Sequence, residues 1–273
     1  MFQSIKKWIL NNKIKTTIIL ILMVVYYFSL PRKLFENNYA TVIESNEGQL
    51  LGAKIAKDGQ WRFPESDCIP TKFRECIIAF EDQHFYQHFG FNPVSMYHAF
   101  LQNRKANKVV RGGSTLTQQV IRLHRSGKRR SYFEKIIELV LSTRLEFRHS
   151  KDDILQLYAA HAPFGSNVVG LEMASWKYFG LQPNQLSWAE AATLAVLPNA
   201  PSLIYPGKNQ ERLLKKRNIL LKKLFTNEVI DKETYDLSLE ENLPQKPFDV
   251  PQIAPHLLEK VAKTNRGEKI KTT

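Results

Sequence analysis

From about residue 70 onward, apolar residues recur at helical spacing and keep doing so, which restricts this chain to a mainly α-helical fold. Pro70 and Thr71 lead into KFRECIIAFED. Ser150 and Asp153 form a cap pair ahead of ILQLYAA, and Ser187 with Glu190 makes a capping box ahead of AATLAVL. Pro198 and Pro201 close that second helix, and QERLLKKRNILLKKLF is amphipathic with a lysine-rich outer face. Upstream, residues 39–64 read as short strands around turns at Asn46-Glu47-Gly48 and Asp58-Gly59. No repeat appears, and no low-complexity linker divides the chain after residue 40.

The start of the chain bears on its compartment. Residues 16–30, TTIILILMVVYYFSL, are apolar and uncharged and follow Lys6, Lys7, Lys13 and Lys15. The run is short beside the ~20 residues of a spanning helix, with Ile14, Ile9 and Leu10 available to extend it. Pro31-Arg32-Lys33 follows the run where a cleaved signal peptide would place a small-residue site. An uncleaved anchor is therefore expected, with its lysine-rich end cytoplasmic and the remainder outside. A buried core helix fits less well, because the segment has no polar face.

Across 273 residues the net charge is +13, which calls for an anionic partner: nucleic acid, a membrane surface or a phosphorylated substrate. Nucleic acid fits poorly with an exported domain. The two cysteines, Cys68 and Cys76, lack metal-type spacing, so no zinc site is expected. One disulfide and two free buried thiols both stay open.

Three stretches carry chemistry. AFEDQHFYQHFG, residues 79–90, places Glu81 and Asp82 directly behind an apolar run, and Phe85, His88 and Gly90 mark a turn after them. A solvated helix edge explains such an acid pair equally well. A carboxylate held against apolar side chains has its pKa raised, as a general acid or base requires. RGGSTLTQQVIR, residues 111–122, joins Gly112 and Gly113 to the hydroxyls of Ser114, Thr115 and Thr117 at a helix start. Gln118, Gln119 and Arg122 follow, and Arg111, Arg125, Lys128, Arg129 and Arg130 crowd the same region. The pattern lacks the lysine of a P-loop; it reads as a capped turn or as a pyrophosphate site. In SYFEKIIELVLSTRLEF, residues 131–147, the residues Phe133, Ile136, Ile137, Val140, Leu141 and Leu145 are expected to form one face. Lys135 and Glu138 fall outside it as an i,i+3 pair.

In this order and spacing, these stretches resemble the transglycosylase domain of class A penicillin-binding proteins, glycosyltransferase family 51. EDQHFYQHFG resembles the first family block, GGSTLTQQ the second, and Lys135 with Glu138 the K-x-x-E of the third. ILQLYAAHAPFGSNVVGLEMASWKYFG is similar to the fourth and LSWAEAATLAVLPNAPSLIYP to the fifth. LLGAKIAKDGQWRFP, APFGSNVVG and LAVLPNAPS are most similar to the 1C type within that family. The terminal GEKIKTT resembles the strand leading into a transpeptidase half that has no S-x-x-K, S-x-N and K-T-G set here.

The resemblance implies a lysozyme-like, two-lobed helical domain over residues 70–245. A basic tail (1–15), a transmembrane helix (16–30) and a small β-containing stem (31–69) would precede it, and a linker-like segment (246–273) would follow. It implies polymerisation of lipid II into β-1,4-linked glycan by inversion, releasing undecaprenyl pyrophosphate. Glu81 would be the general base, and Glu138 would assist at the pyrophosphate, through a divalent cation (Mg or Mn) or by ordering basic groups. No cofactor would be essential. Asp82, Phe85, His88, Gly112, Gly113, Ser114, Thr115, Gln119, Arg122 and Lys135 carry over as site-shaping or substrate-binding positions. The implied partners are lipid II, the growing glycan, membrane lipids, and a separate transpeptidase or other cell-wall synthesis proteins. The implied location is the inner membrane, with the catalytic domain periplasmic. Three positions depart from the family pattern: Glu134 where a base is common, Ala160 before His161 where Asn is common, and Asn92 where Asp is common. A lysozyme-like hydrolase and an inactive anchored scaffold are the alternatives.

Overall fold

A computed structural model describes residues 12–65, 68–108, 112–126, 128 and 131–272. Lys6, Lys7, Ile9, Leu10, Arg111, Arg129 and Arg130 lie outside the described residues. The order of elements is α1 (Lys13–Tyr27), β1 (Thr41–Glu44), β2 (Leu50–Lys54), β3 (Trp61–Arg62), α2 (Thr71–Glu81), α3 (Pro93–Ala106), α4 (Leu116–His124), α5 (Tyr132–Glu146), α6 (Lys151–His161), β4 (Pro163–Gly165), β5 (Val168–Val169), α7 (Leu171–Phe179), α8 (Trp188–Val196), α9 (Gln210–Thr226), α10 (Lys232–Glu240), α11 (Pro255–Thr264) and β6 (Lys269–Lys271). Among the described residues the protein is mainly helical with two small three-stranded sheets.

The central helix is α8. Every residue from Ala189 to Val196 except Glu190 is buried, as a helix apolar all round must be. Its alanines let α2, α9 and α10 approach closely. A second group forms where α4 packs against α5 and α6. The caps expected at Ser150/Asp153 and Ser187/Glu190 are both present as reciprocal capping boxes.

The face expected for α5 is not the one it buries. Leu141 and Leu145 are covered, but Phe133 (71% exposed), Ile136 (61%) and Val140 (43%) face outward. The buried arc is Glu138, Leu141, Ser142 and Leu145, at spacing i, i+3, i+4, i+7. Apolar residues occupy more than one side of this helix, and packing against α4 selects the side that carries Glu138.

In one sheet β1 lies between β2, antiparallel to it, and β6, parallel to it. The other sheet has the order β3-β5-β4. Both expected turns carry a glycine at positive φ, Gly48 and Gly59. Cys68 is exposed, Cys76 is buried, and both thiols are free.

Helix α1 starts before the apolar run and ends inside it, with Phe28 as its C-cap. At 15 residues it rises about 22 Å. Among the described residues no helix is long and apolar enough to cross a membrane. It is tied to α5 by a hydrogen bond between the Tyr26 hydroxyl and Thr143 Oγ1 (2.9 Å), and by Arg144, whose Nε and Nη2 donate to the Tyr27 carbonyl.

Candidate active site

Glu81 closes α2, where the helix gives way to a turn. Gln119 Nε2, on α4, donates to its Oε2 at 2.7 Å, and its Oε1 is buried without a partner among the described residues. Burial raises the Glu81 carboxyl above the usual carboxylate range. The Asp82 charge adds to that rise, while Gln119, Lys216 and Arg122 oppose it.

Asp82 joins the first motif to the second. Its Oδ2 lies 2.9 Å from His88 Nε2 and accepts the Leu116 N–H at 3.0 Å, at the first turn of α4. Thr115 makes a second link: it caps α4 in a capping box with Gln118, and its Oγ1 donates to the Gly90 carbonyl at 2.7 Å. Behind this joint, Lys151 Nζ donates to the His88 carbonyl (2.7 Å) and to Glu146 Oε1 (2.6 Å). It also stands 4.5 Å from the centre of the buried Phe85 ring. Phe85 and His88 thus support the turn from behind.

Two glycines are needed for shape. Gly90 has φ +80°, and a Cβ there would meet the Ser142 carbonyl carbon and Thr143 nitrogen at 2.7 Å. A Cβ on Gly113 would lie 3.0 Å from Met96 Cα on α3, whereas one on Gly112 would meet open space.

Arg122 grips Glu138 with two hydrogen bonds, Nε to Oε1 at 3.0 Å and Nη2 to Oε2 at 2.9 Å. Ser114 Oγ accepts from Arg122 Nη2 (3.2 Å) and Lys135 Nζ (2.6 Å), and Lys135 Nζ stands 3.6 Å from Glu138. The i,i+3 pair read from the sequence is therefore real, but its acid is buried and its main partner is Arg122. Among the described residues no group of three or more His, Cys, Asp or Glu side chains is arranged to hold a metal ion. A divalent cation at Glu138 would have to compete with Arg122 for the same two oxygens, so the residues present do not fit that role.

A cavity of about 580 Å³ opens over this array. Glu81, Asp82, Gly112, Gly113, Ser114, Thr115, Gln119 and Arg122 line it, whereas Phe85, His88, Lys135 and Glu138 support residues that do. The sequence reading missed His84, His98, Asn199 and Lys223 on its walls. It also missed Lys216, which donates to Asn199 Oδ1 at 2.7 Å and acts on the Glu81 charge. Asn199 lies in the stretch that resembles the fifth family block, where the residue reading marked only the prolines as a helix stop. Lys216 and Lys223 belong to a helix face that reads as solvated, so no local pattern marked them.

Two of the three departures have a local partner, and His161 beside the third has partners of its own. Glu134 pairs with Arg125. Asn92 caps α3 by accepting the Ser95 N–H at 3.0 Å, a task Asn performs as well as Asp. His161, beside Ala160, stacks on Phe35 at 3.7 Å and lies within hydrogen-bond reach of Asn37 and Glu65.

A family model described as transglycosylase matches residues 47–225, a stretch that holds every residue of this site. The chain belongs to the transglycosylase family. It is 37% identical over 244 residues to penicillin-binding protein 1C of Escherichia coli (strain K12), covering 89% of this chain and 32% of that protein. It is 34% identical over 233 residues to penicillin-binding protein 1A of Aquifex aeolicus (strain VF5), covering 84% of this chain and 32% of that protein. A solved structure of penicillin-binding protein 1A from Haemophilus influenzae aligns at 20% identity and TM-score 0.44, over 87% of this chain and 27% of that one. This transglycosylase therefore spans about a third of the length of the relatives it matches. The Asp82 link between the α2 end and the α4 start, and the Arg122 grip on Glu138, lie wholly within the matched stretch.

Proposed function

We propose that this chain is a peptidoglycan glycosyltransferase that polymerises lipid II into β-1,4-linked glycan and releases undecaprenyl pyrophosphate. The observation that carries the reading is the pairing, in one cavity, of a buried carboxylate with a cationic wall. Glu81 lines that cavity together with Ser114 and Arg122, which are backed by Lys135. Glu81 takes the proton from the acceptor 4-hydroxyl as that oxygen attacks the donor anomeric carbon. The bond from that carbon to the pyrophosphate oxygen breaks, so the α-linked donor becomes β-linked in a single displacement. Desolvation suits Glu81 to the task by raising its pKa above the usual carboxylate range. Negative charge gathers on the departing pyrophosphate, where Arg122 and Lys135 stabilise it. Glu138 acts by ordering those two cations.

A lipid-linked donor requires the cleft to work beside a membrane. Helix α1 has no buried residue, and its apolar side chains point outward around its girth. Tyr97 and Phe100 on α3 and Phe133 and Ile136 on α5 are exposed apolar side chains as well. That supports the N-terminal segment as an inner-membrane anchor and lipids as a partner. The test is to offer purified protein labelled lipid II and, separately, finished glycan. Lengthening of the first with no shortening of the second is expected; shortening of finished glycan would favour the hydrolase.

A further inference from the structure

Two charged side chains that do not line the cavity stand behind its joint. Lys151 and Glu146 form an ion pair whose side chains are 17% and 4% exposed. Each sits at the wrong end of its helix. Glu146 is the last residue of α5, where the helix dipole disfavours an anion, and Lys151 is the first of α6, where it disfavours a cation. Replacing a buried ion pair by apolar side chains of similar volume is also often neutral or stabilising. Stability alone therefore gives a poor account of this pair.

Its hydrogen bonds give a better one. Lys151 Nζ donates to the His88 carbonyl at 2.7 Å, and Glu146 Oε1 accepts from the buried Thr117 hydroxyl at 2.6 Å. His88 Nε2 reaches Asp82 Oδ2, the atom that also accepts the N–H of Leu116, next to Thr117. The contacts close a ring that runs from Asp82 through His88, Lys151, Glu146 and Thr117 to Leu116 and back. Asp82 is the ring member that lines the cavity, and Glu81 precedes it in the chain. Tyr86, in the same turn as His88, adds a second tie to α6 by donating to Asp152 Oδ1 at 2.8 Å.

We infer that Lys151 and Glu146 are positioning residues for the cleft: their ion pair holds the His88 carbonyl and the Thr117 hydroxyl together, and so sets where Asp82 carries Glu81. The inference rests on the reading of Glu81 as the base of lipid II polymerisation. Misplacing a reacting group by about 1 Å costs up to about 10²-fold in rate. The pair therefore acts on kcat, while binding is left to the residues that line the cavity.

The test uses the full chain with Lys151→Met, and with Lys151→Met and Glu146→Met together. The single change strands a buried carboxylate and is expected to lower the urea midpoint. The double change removes both charges and is expected to bring the midpoint back toward wild type. On labelled lipid II, kcat is expected to fall roughly ten- to hundredfold in both variants, with KM unchanged. Nitrogen-15 NMR of labelled histidine, with His88 assigned by its absence in His88→Gln, reads the joint directly. The Nε2 proton that His88 shares with Asp82 is expected to exchange with water faster in both variants. A double variant with wild-type kcat, a rise in KM with kcat unchanged, or an unmoved His88 signal in either variant would overturn the inference. If the wild-type chain leaves lipid II unpolymerised, the glycosyltransferase reading falls, and the His88 signal alone decides the role of the pair.

Discussion

As the proposed base, Glu81 would have to be buried and charged at once, and its surroundings bear on that conflict. Burial raises its folded pKa above the unfolded value, so its protonated form favours folding and that contribution is lost as pH rises through the folded pKa. At neutral pH the ionised group works against stability. Glu81→Gln, which keeps an acceptor for Gln119, is expected to cut polymerisation by at least about 10²-fold. Its thermal midpoint at pH 7 should equal or exceed that of the wild type, and the advantage should shrink as pH falls through the carboxylate range. Scanning calorimetry at several pH values checks the sign; a lower midpoint at pH 7 would contradict it. Arg122 poses the opposite case. Without it Glu138, whose side chain is 8% exposed, loses both charged hydrogen bonds. Because Arg122 is itself well exposed, water screens the pair, and Arg122→Ala is expected to cost only about 1–3 kcal/mol by urea denaturation. Arg122→Lys should recover only part of that, since an ammonium cannot make two parallel bonds. Both carboxylates were legible through motif resemblance. Lys216 was not, because nothing local separates a cleft lysine from a solvated one.

At the scale of elements, local chemistry was readable and facing was not. The capping boxes at Ser150 and Ser187 depend on residues three apart and exist for that reason. The face of α5 depends on a partner distant in sequence, and the residues it buries include Glu138 and Ser142, which no hydropathy pattern selects. The turn between α2 and α3 is set by its contact with α5. Gly90→Ala would place a methyl group inside van der Waals range of the α5 backbone at a positive φ. It is expected to destabilise by about 1–3 kcal/mol from the backbone conformation alone. It should also lower polymerisation, because the same turn carries His88 to Asp82. Denaturant midpoints and lipid II turnover measured on one preparation would show whether the two losses arrive together.

At the scale of the whole molecule, the proposed membrane contact draws on the exposed apolar side chains of α1, α3 and α5 and on the net charge of +13. In vesicle flotation, removal of residues 1–28 is expected to weaken binding without abolishing it, since α3 and α5 keep their exposed aromatics. Binding to anionic vesicles should fall as salt rises, and binding to neutral ones should change little. Equal salt dependence on both would contradict the electrostatic share. The strands meet on the same scale: β1, near the start, pairs with β6, more than two hundred residues later. Helical class and helix starts and stops follow from the sequence by itself, because periodicity and caps act within a few residues along the chain; the two carboxylates were singled out by the family resemblance of their short motifs. Which side of α5 is buried, which cations reach Glu81, and how β6 joins β1 were decided only by the tertiary structure. Those depend on close packing between segments far apart in sequence, where covering apolar surface and pairing buried charge are settled together.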